Sequence, residues 1–139
     1  MNKETYTAYC DILRSELIPA MGCTEPIALA LTAAIARKHL EGDVTDVHIS
    51  TSGNIIKNAK SVTVPHTNGL KGIDAACAAG IVAGDPDAGL EVLSRITPQQ
   101  QKDILDFLHT VPVTVSKATS DYLLDIEVTL QSAQHTVYA

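Results

Sequence analysis

Large aromatic side chains are scarce in this sequence of 139 residues: it has no tryptophan and one phenylalanine, and aromatic residues make up 4% of the chain. Alanine is abundant instead, and 45% of the residues are hydrophobic. A chain of this length and apolar content can bury one core, so we expect a single domain. The composition favours helices that approach closely through small side chains over a core built around aromatic rings.

Positive charge is also scarce. Ten Lys and Arg residues against 16 Asp and Glu give a formal net charge of -6, and the charges are scattered singly. The chain therefore has no basic patch for nucleic acid and no basic amphipathic face for a membrane surface. Its longest apolar run, Ile27 to Ala36, is far shorter than the about 20 residues that cross a bilayer. The charged N-terminal stretch is not typical of a secretory signal, so we expect a cytoplasmic protein.

Cysteine is the third scarce residue. The three cysteines, Cys10, Cys23 and Cys77, form an odd set without a CxxC pair. This pattern argues against a disulfide framework and against a zinc knuckle. In a reducing compartment, these residues would be free thiols or metal ligands.

The periodicity of apolar residues indicates helices and strands in one α+β or α/β domain, in which the helices pack with a small mixed sheet. The predicted helices cover residues 3–17, 26–40 and 73–84, a segment from Asp85-Pro86 to Ile96, and a segment that begins at the capping box Thr97–Gln100. The predicted strands cover 44–51, the short SVTV stretch 61–64, Val113–Val115 and 122–130. The SGN stretch after the first strand reads as a turn.

The last five residues, HTVYA, begin to alternate again and then stop. Because a chain usually finishes in a polar tail or a capped element, this ending favours the interpretation that the sequence is part of a longer protein. The open hairpin and the alanine-rich helices would leave apolar surface exposed, so we also expect a homo-oligomer.

The most informative stretch is IPAMGCTEPIALA, residues 18–30, which places Cys23 between a glycine and a predicted helix start. The unpaired N–H groups and positive dipole at a helix start stabilise a thiolate relative to a thiol. Pro26 suits the first turn of a helix, and Gly22 allows the backbone to turn sharply. Cys23 is therefore either a nucleophile or a metal ligand, or else a small core residue in a tight turn.

Four segments carry a resemblance to a known family: PAMGCTEPIALA, SGNIIKNAKSVTVP, TNGLKG and GLEVL. With them, nearly the whole chain resembles the cysteine desulfidase and UPF0597 family, which is related to the alpha domain of iron-sulfur L-serine dehydratases. Family members are several times longer, so the resemblance implies that residues 1–139 correspond to the N-terminal part of such a catalytic domain.

The resemblance implies a lyase that works without pyridoxal phosphate and uses a [4Fe-4S] cluster held by three cysteines. It eliminates sulfide or water from L-cysteine or L-serine and yields pyruvate and ammonia. The GCTEP cysteine is one cluster ligand in the family, which assigns Cys23 as a metal ligand here. The other two ligands belong to the C-terminal part, so the resemblance does not assign that role to Cys10 or Cys77. The chain alone is then expected to assemble no cluster and to be inactive.

An amino-acid substrate needs neutral donors and acceptors in a loop, and two loops supply them. The first contains Ser52, Asn54, Lys57 and Asn58, which we predict to bind substrate. The second contains Thr67, flanked by His66 and Asn68. The sequence does not identify the general base.

Each of these residues also has a purely structural interpretation. Ser52–Asn54 can be a turn that ends a strand, and Lys57 a solvated lysine. Glu25 suits the positive end of a helix, His66 an exposed loop, and Cys77 a packed helix.

Two other functions stay open. The chain could be a non-catalytic module of the same fold, for amino-acid binding or for assembly. It could also be an enzyme that uses Cys23 as a nucleophile with His66 as its base.

Overall fold

A computed structural model of the protein describes residues 1–20 and 22–139. In this part of the chain, six helices pack with one four-stranded mixed sheet in a single α+β domain, as the sequence predicted. The helices are α1 (Lys3–Glu16), α2 (Thr24–His39), α3 (Gly53–Ala59), α4 (Ile73–Ala83), a 3₁₀ helix (Pro86–Glu91) and α5 (Pro98–Thr110). The strands are β1 (Asp46–Thr51), β2 (Val113–Lys117), β3 (Ile126–Gln131) and β4 (Thr136–Tyr138). Within the same residues, no helix has both the length and the apolar character needed to span a membrane.

The sheet has the strand order β2-β1-β3-β4, so β1 is an inner strand. It pairs in parallel with β2 and antiparallel with β3, and Val47 lies opposite both Val113 and Leu130. One face of the sheet is apolar and buried, with α2 against β3, whereas the other face is polar and carries the His48–Ser116 hydrogen bond of 3.1 Å. Because β1 and β2 run in parallel, both end at the same edge of the sheet.

The core centres on a close contact between α2 and α4. A Cβ atom placed on Gly80 would lie 2.1 Å from the carbonyl oxygen of Ala30, and one on Gly84 would lie 2.9 Å from the Cβ of Ala34. The thiol of Cys77, one turn before Gly80, approaches the carbonyl oxygen of Leu29 at 3.8 Å. Small residues therefore let the two backbones nearly touch, as the alanine-rich composition predicted.

Four of the predicted helices are confirmed as α1, α2, α4 and α5, and α5 has both hydrogen bonds of the Thr97–Gln100 capping box. Two helical assignments were wrong. Residues 53–59 form α3 instead of a turn, because Ile55 and Ala59 bury against the core. The segment after Asp85 forms a 3₁₀ helix instead of an α-helix, because Gly89 at φ 56° and ψ -125° interrupts the helical backbone.

Two strand predictions also need correction. The SVTV stretch pairs only through an isolated bridge between Thr63 and Lys71. The predicted strand 122–130 begins only at Ile126, and Tyr122 and Leu124 are 76% and 65% exposed. Their alternation imitates a strand, but β1 ends opposite Ile126 and leaves residues 122–125 without a partner strand.

The contact between α2 and α4 gives a prediction for stability. Alanine normally stabilises a helix interior relative to glycine, but Gly80→Ala should lower the free energy of unfolding by roughly 1–3 kcal/mol through overpacking. Urea denaturation measures the change. Gly53→Ala is the matched control, because its added Cβ would meet only the flexible end of Lys117 at 3.2 Å. A Gly80→Ala variant as stable as the native chain would contradict the tight crossing.

Candidate functional site

The candidate site lies at the edge of the sheet where β1 and β2 end. Here Thr51 donates a hydrogen bond from its hydroxyl to the carbonyl oxygen of Asp125 at 2.7 Å, and its own carbonyl accepts one from the N–H of Ala118 at 2.8 Å. The next residue, Ser52, donates from its hydroxyl to the carbonyl oxygen of Leu123 at 2.8 Å. In open sheets with parallel strands, ligands bind in the crevice outside this edge. The three connections therefore build the floor of a possible binding site.

The second component is the start of α2. Cys23 is the N-cap residue of this helix, and its exposed side chain makes no capping hydrogen bond. The preceding Gly22 has φ +151°, and a Cβ placed on it would lie 3.1 Å from the Cγ atom of Pro65. The GCTEP turn, residues 22–26, thus lies against the VTVP segment, residues 62–65, although the two are far apart in the sequence. Met21, within the same motif, lies outside the described residues.

A cleft of about 220 Å³ separates the start of α2 from α3. Its walls are Thr24, Glu25 and Ala28 from α2, Asn54 and Ile55 from α3, and Leu123 and Leu124 from the segment before β3. One water molecule takes about 30 Å³ in the liquid, so the cleft has room for a molecule of a few heavy atoms. Its size suits a ligand as small as a single amino acid.

The structure brings only some of the predicted site residues to this cleft. Asn54 lines it, and Asn58 donates a hydrogen bond to a carboxylate oxygen of Glu25 at 3.3 Å across its α2–α3 side. Cys23 directly precedes its first wall residue. Ser52 is buried, and its hydroxyl hydrogen bond anchors the wall. Lys57 is exposed on α3 and does not line the cleft.

The second predicted loop is separate from the cleft. The buried hydroxyl of Thr67 donates to the carbonyl oxygen of Val64 at 2.7 Å, which closes its own loop. His66 is exposed, and its carbonyl oxygen accepts a hydrogen bond from the Gln101 side chain at 2.8 Å. Thr67 borders another cleft, about 210 Å³ in volume, between this loop and α5. Within residues 1–20 and 22–139, no side-chain hydrogen bond joins His66 to Cys23.

Lys117 is a candidate that the sequence analysis missed. It is the last residue of β2, and its ammonium would lie 3.8 Å from a Cβ placed on Gly53, the first residue of α3. In the part of the chain that the structure describes, no carboxylate lies within 4 Å of this ammonium. The only signal available from the sequence was that parallel strands end at one edge of a sheet.

The three cysteines occupy different environments. Cys77 is fully buried, and burial raises the pKa of its thiol far above the usual range, with the nearby charge of Asp74 as a second cause. A thiol held in its neutral form neither binds metal nor attacks carbon. Cys10 lies on α1, and among the described residues no group of three His, Cys, Asp or Glu side chains is arranged to hold a metal ion. Cys23 therefore stands as a single exposed candidate ligand.

Comparison with curated proteins identifies relatives over most of this chain. A UPF0597 protein of Finegoldia magna is 51% identical over 86% of the chain, and one of Desulfitobacterium hafniense is 47% identical over 90%. A third, from Oleidesulfovibrio alaskensis, is 41% identical over 98%. The chain is similar to UPF0597 proteins.

The chain spans less than a third of the length of these relatives: 29% of the first two and 32% of the third. The comparison thus confirms the predicted resemblance to UPF0597 proteins, whereas the links to cysteine desulfidases and to L-serine dehydratases stay predictions. No protein-family model matches the chain, and no solved structure matches it.

The buried thiol of Cys77 predicts a pH dependence of stability. The unfolded chain releases this proton near the ordinary thiol pKa of 9.0, whereas the folded chain retains it to much higher pH. The contribution of the buried neutral thiol to the free energy of unfolding is therefore fully present below pH 9.0. Above that pH it is lost, by up to about 1.4 kcal/mol per pH unit.

Urea denaturation between pH 8 and pH 10 tests this prediction. Other groups also titrate in this range, so the Cys77→Ala variant is the reference. We expect the free energy of unfolding to fall more steeply with pH in the native chain than in that variant. Equal slopes would mean that the Cys77 thiol ionises equally easily in the folded and unfolded states.

Proposed function

We propose that this chain forms part of an iron-sulfur lyase that eliminates sulfide or water from L-cysteine or L-serine to give pyruvate and ammonia. In this proposal, Cys23 is one ligand of a [4Fe-4S] cluster, and the cleft between α2 and α3 binds the substrate. The observation that carries the proposal is the exposed, uncapped thiol of Cys23 directly beside a cleft of amino-acid size. The resemblance of the GCTEP and SGN motifs to the cysteine desulfidase family supplies the reaction class.

This chain can supply one cysteine ligand to such a cluster. The Cys23 sulfur is accessible and has no capping hydrogen bond, so it is free to bind iron. The other two ligands would come from outside residues 1–139, as the family resemblance implies. When bound, such a cluster supplies an open iron that acts as a Lewis acid on the leaving hydroxyl or thiol.

The groups around the cleft suit both ends of an amino acid. Glu25 presents a carboxylate that can accept hydrogen bonds from a substrate ammonium, and the side chain of Asn58 holds it at 3.3 Å. Asn54 offers an amide donor and acceptor. Lys117 is not among the residues that line the cleft, but it lies beside Gly53, which directly precedes the lining residue Asn54, and in this proposal it binds the substrate carboxylate from that side. Leu123 and Leu124 cover one side of the cleft with apolar surface and limit its access to water.

The role of Cys23 is tested by anaerobic reconstitution of the full-length gene product with iron and sulfide, followed by a pyruvate assay on L-cysteine and L-serine. We expect the native protein to bind a cluster and form pyruvate. Cys23→Ser should lower activity more than about a hundredfold, because even residues that only hydrogen-bond to a metal ligand contribute up to about that factor.

Cys10→Ser is the control, since Cys10 lies on α1 and is not a predicted ligand. A native protein that takes up no cluster or forms no pyruvate would refute the lyase proposal and favour a binding or assembly module. Rapid turnover by the 139-residue chain without iron would favour the cysteine-nucleophile alternative.

Lys117 and Lys57 provide a second, matched test, because both are exposed lysines and only Lys117 reaches the start of α3. Lys117→Ala should raise the KM for the amino acid about tenfold through loss of a charge-assisted hydrogen bond, while Lys57→Ala should leave it nearly unchanged. Steady-state kinetics on the reconstituted protein measure both. A larger effect from Lys57→Ala would support the prediction that Lys57 binds substrate and reject the role of Lys117.

A further inference from the structure

Helix α1 carries an apolar stripe that the described part of the chain leaves uncovered. Tyr6, Tyr9, Leu13 and Leu17 are 59%, 57%, 55% and 71% exposed, and α1 contains no buried residue. Their spacing of i, i+3, i+7 and i+11 places them on one helical face, which also carries Cys10. A stripe of this kind normally faces a core or a partner.

The helix also needs packing for its own stability. It has 14 residues, and isolated helices of that length are marginal in water. Each end of the helix has a capping hydrogen bond from a nearby residue. The Asn2 side chain accepts a hydrogen bond from the N–H of Thr5 at 2.8 Å, and the N–H of Leu17 donates to the Leu13 carbonyl at 2.9 Å. Good caps fix the ends of the helix, but the large exposed side chains between them gain no burial from this chain.

We propose that a second copy of this chain covers the stripe, so that two α1 helices pair face to face around a twofold axis. The four side chains together expose on the order of 500 Å², since a large aromatic side chain alone offers about 150–250 Å². Two facing stripes would then remove at most about 1,000 Å² from water, which is the lower limit for a specific interface. A twofold pairing presents the same apolar stripe from both partners.

Two of the three carboxylates on α1 lie away from the stripe, and the third, Glu16, flanks its edge three residues after Leu13. Glu4 and Asp11 lie on the face opposite the stripe, and Arg14 forms an ion pair with Asp11 at 3.1 Å. Neither of these two carboxylates would be desolvated when the stripes meet. This surface is independent of the cleft between α2 and α3, so the proposal does not rest on the proposed function.

Sedimentation equilibrium of the full-length gene product tests the pairing with two neighbouring variants. Leu13 and Ile12 are both 55% exposed, but only Leu13 lies on the stripe. We expect a concentration-dependent dimer whose dissociation constant rises at least tenfold in Leu13→Asp and stays within about twofold in Ile12→Asp. Tyr6→Ser, at the other end of the stripe, should weaken the dimer in the same direction.

Cross-linking at Cys10 supplies an independent readout, because this residue lies within the stripe. A short bismaleimide should join two chains through Cys10, and both Cys10→Ser and Leu13→Asp should abolish the product. A chain that stays monomeric at all accessible concentrations would overturn the proposal and leave the stripe to another polypeptide. A dimer weakened equally by Ile12→Asp and Leu13→Asp, or not cross-linked through Cys10, would overturn it as well.

Discussion

The rest of the structure depends on the contact between α2 and α4, where Gly80 lies against the backbone at Ala30 without room for a Cβ atom. Two helices that approach this closely act as one rigid layer, because small side chains leave little freedom to shift. The same α2 also packs against β3 on the buried face of the sheet. The position of its first residue, and therefore of Cys23, follows from packing that lies deep in the core.

The candidate site arises where this rigid helix start meets the edge of the sheet. Thr51 and Ser52 contribute to it by fixing the backbone before β3, since both hydroxyl groups are already used in hydrogen bonds to carbonyl oxygens. The side chains of Asn54 and Lys117 are exposed at this edge, and Glu25 is half-buried and lines the cleft. The polar residues at this edge of the sheet thus form two groups. One group fixes the backbone of the candidate site, and the other keeps side chains available to a ligand.

Local sequence predicted the elements that are stabilised locally. The helix after Cys23 and the capping box at Thr97 were evident because caps and long apolar periodicity are contained within each segment. Helix α3 was missed because it has seven residues and no side-chain cap, so its helical state depends on burial of Ile55 and Ala59. The strand over 122–130 was drawn too long because alternation alone does not show where the partner strand ends.

The candidate site also combines a feature that local sequence predicts with one that depends on contacts between distant segments. The exposed thiol of Cys23 could be anticipated from its own motif, whereas the nearness of Lys117 to Gly53 results from the parallel pairing of β1 with a strand far along the chain. The burial of Thr67 could not be anticipated either, because it results from a hydrogen bond that closes its own loop.

The strand order has a consequence for how the protein is synthesised. Both partners of β1 come later in the chain than β1 itself, so this inner strand leaves the ribosome with two unpaired edges. The contact of α2 with α4 can form before either partner strand exists, because α4 precedes β2 and β3. During synthesis, a helical layer would therefore be available to shield the apolar face of β1 until the sheet can close around it.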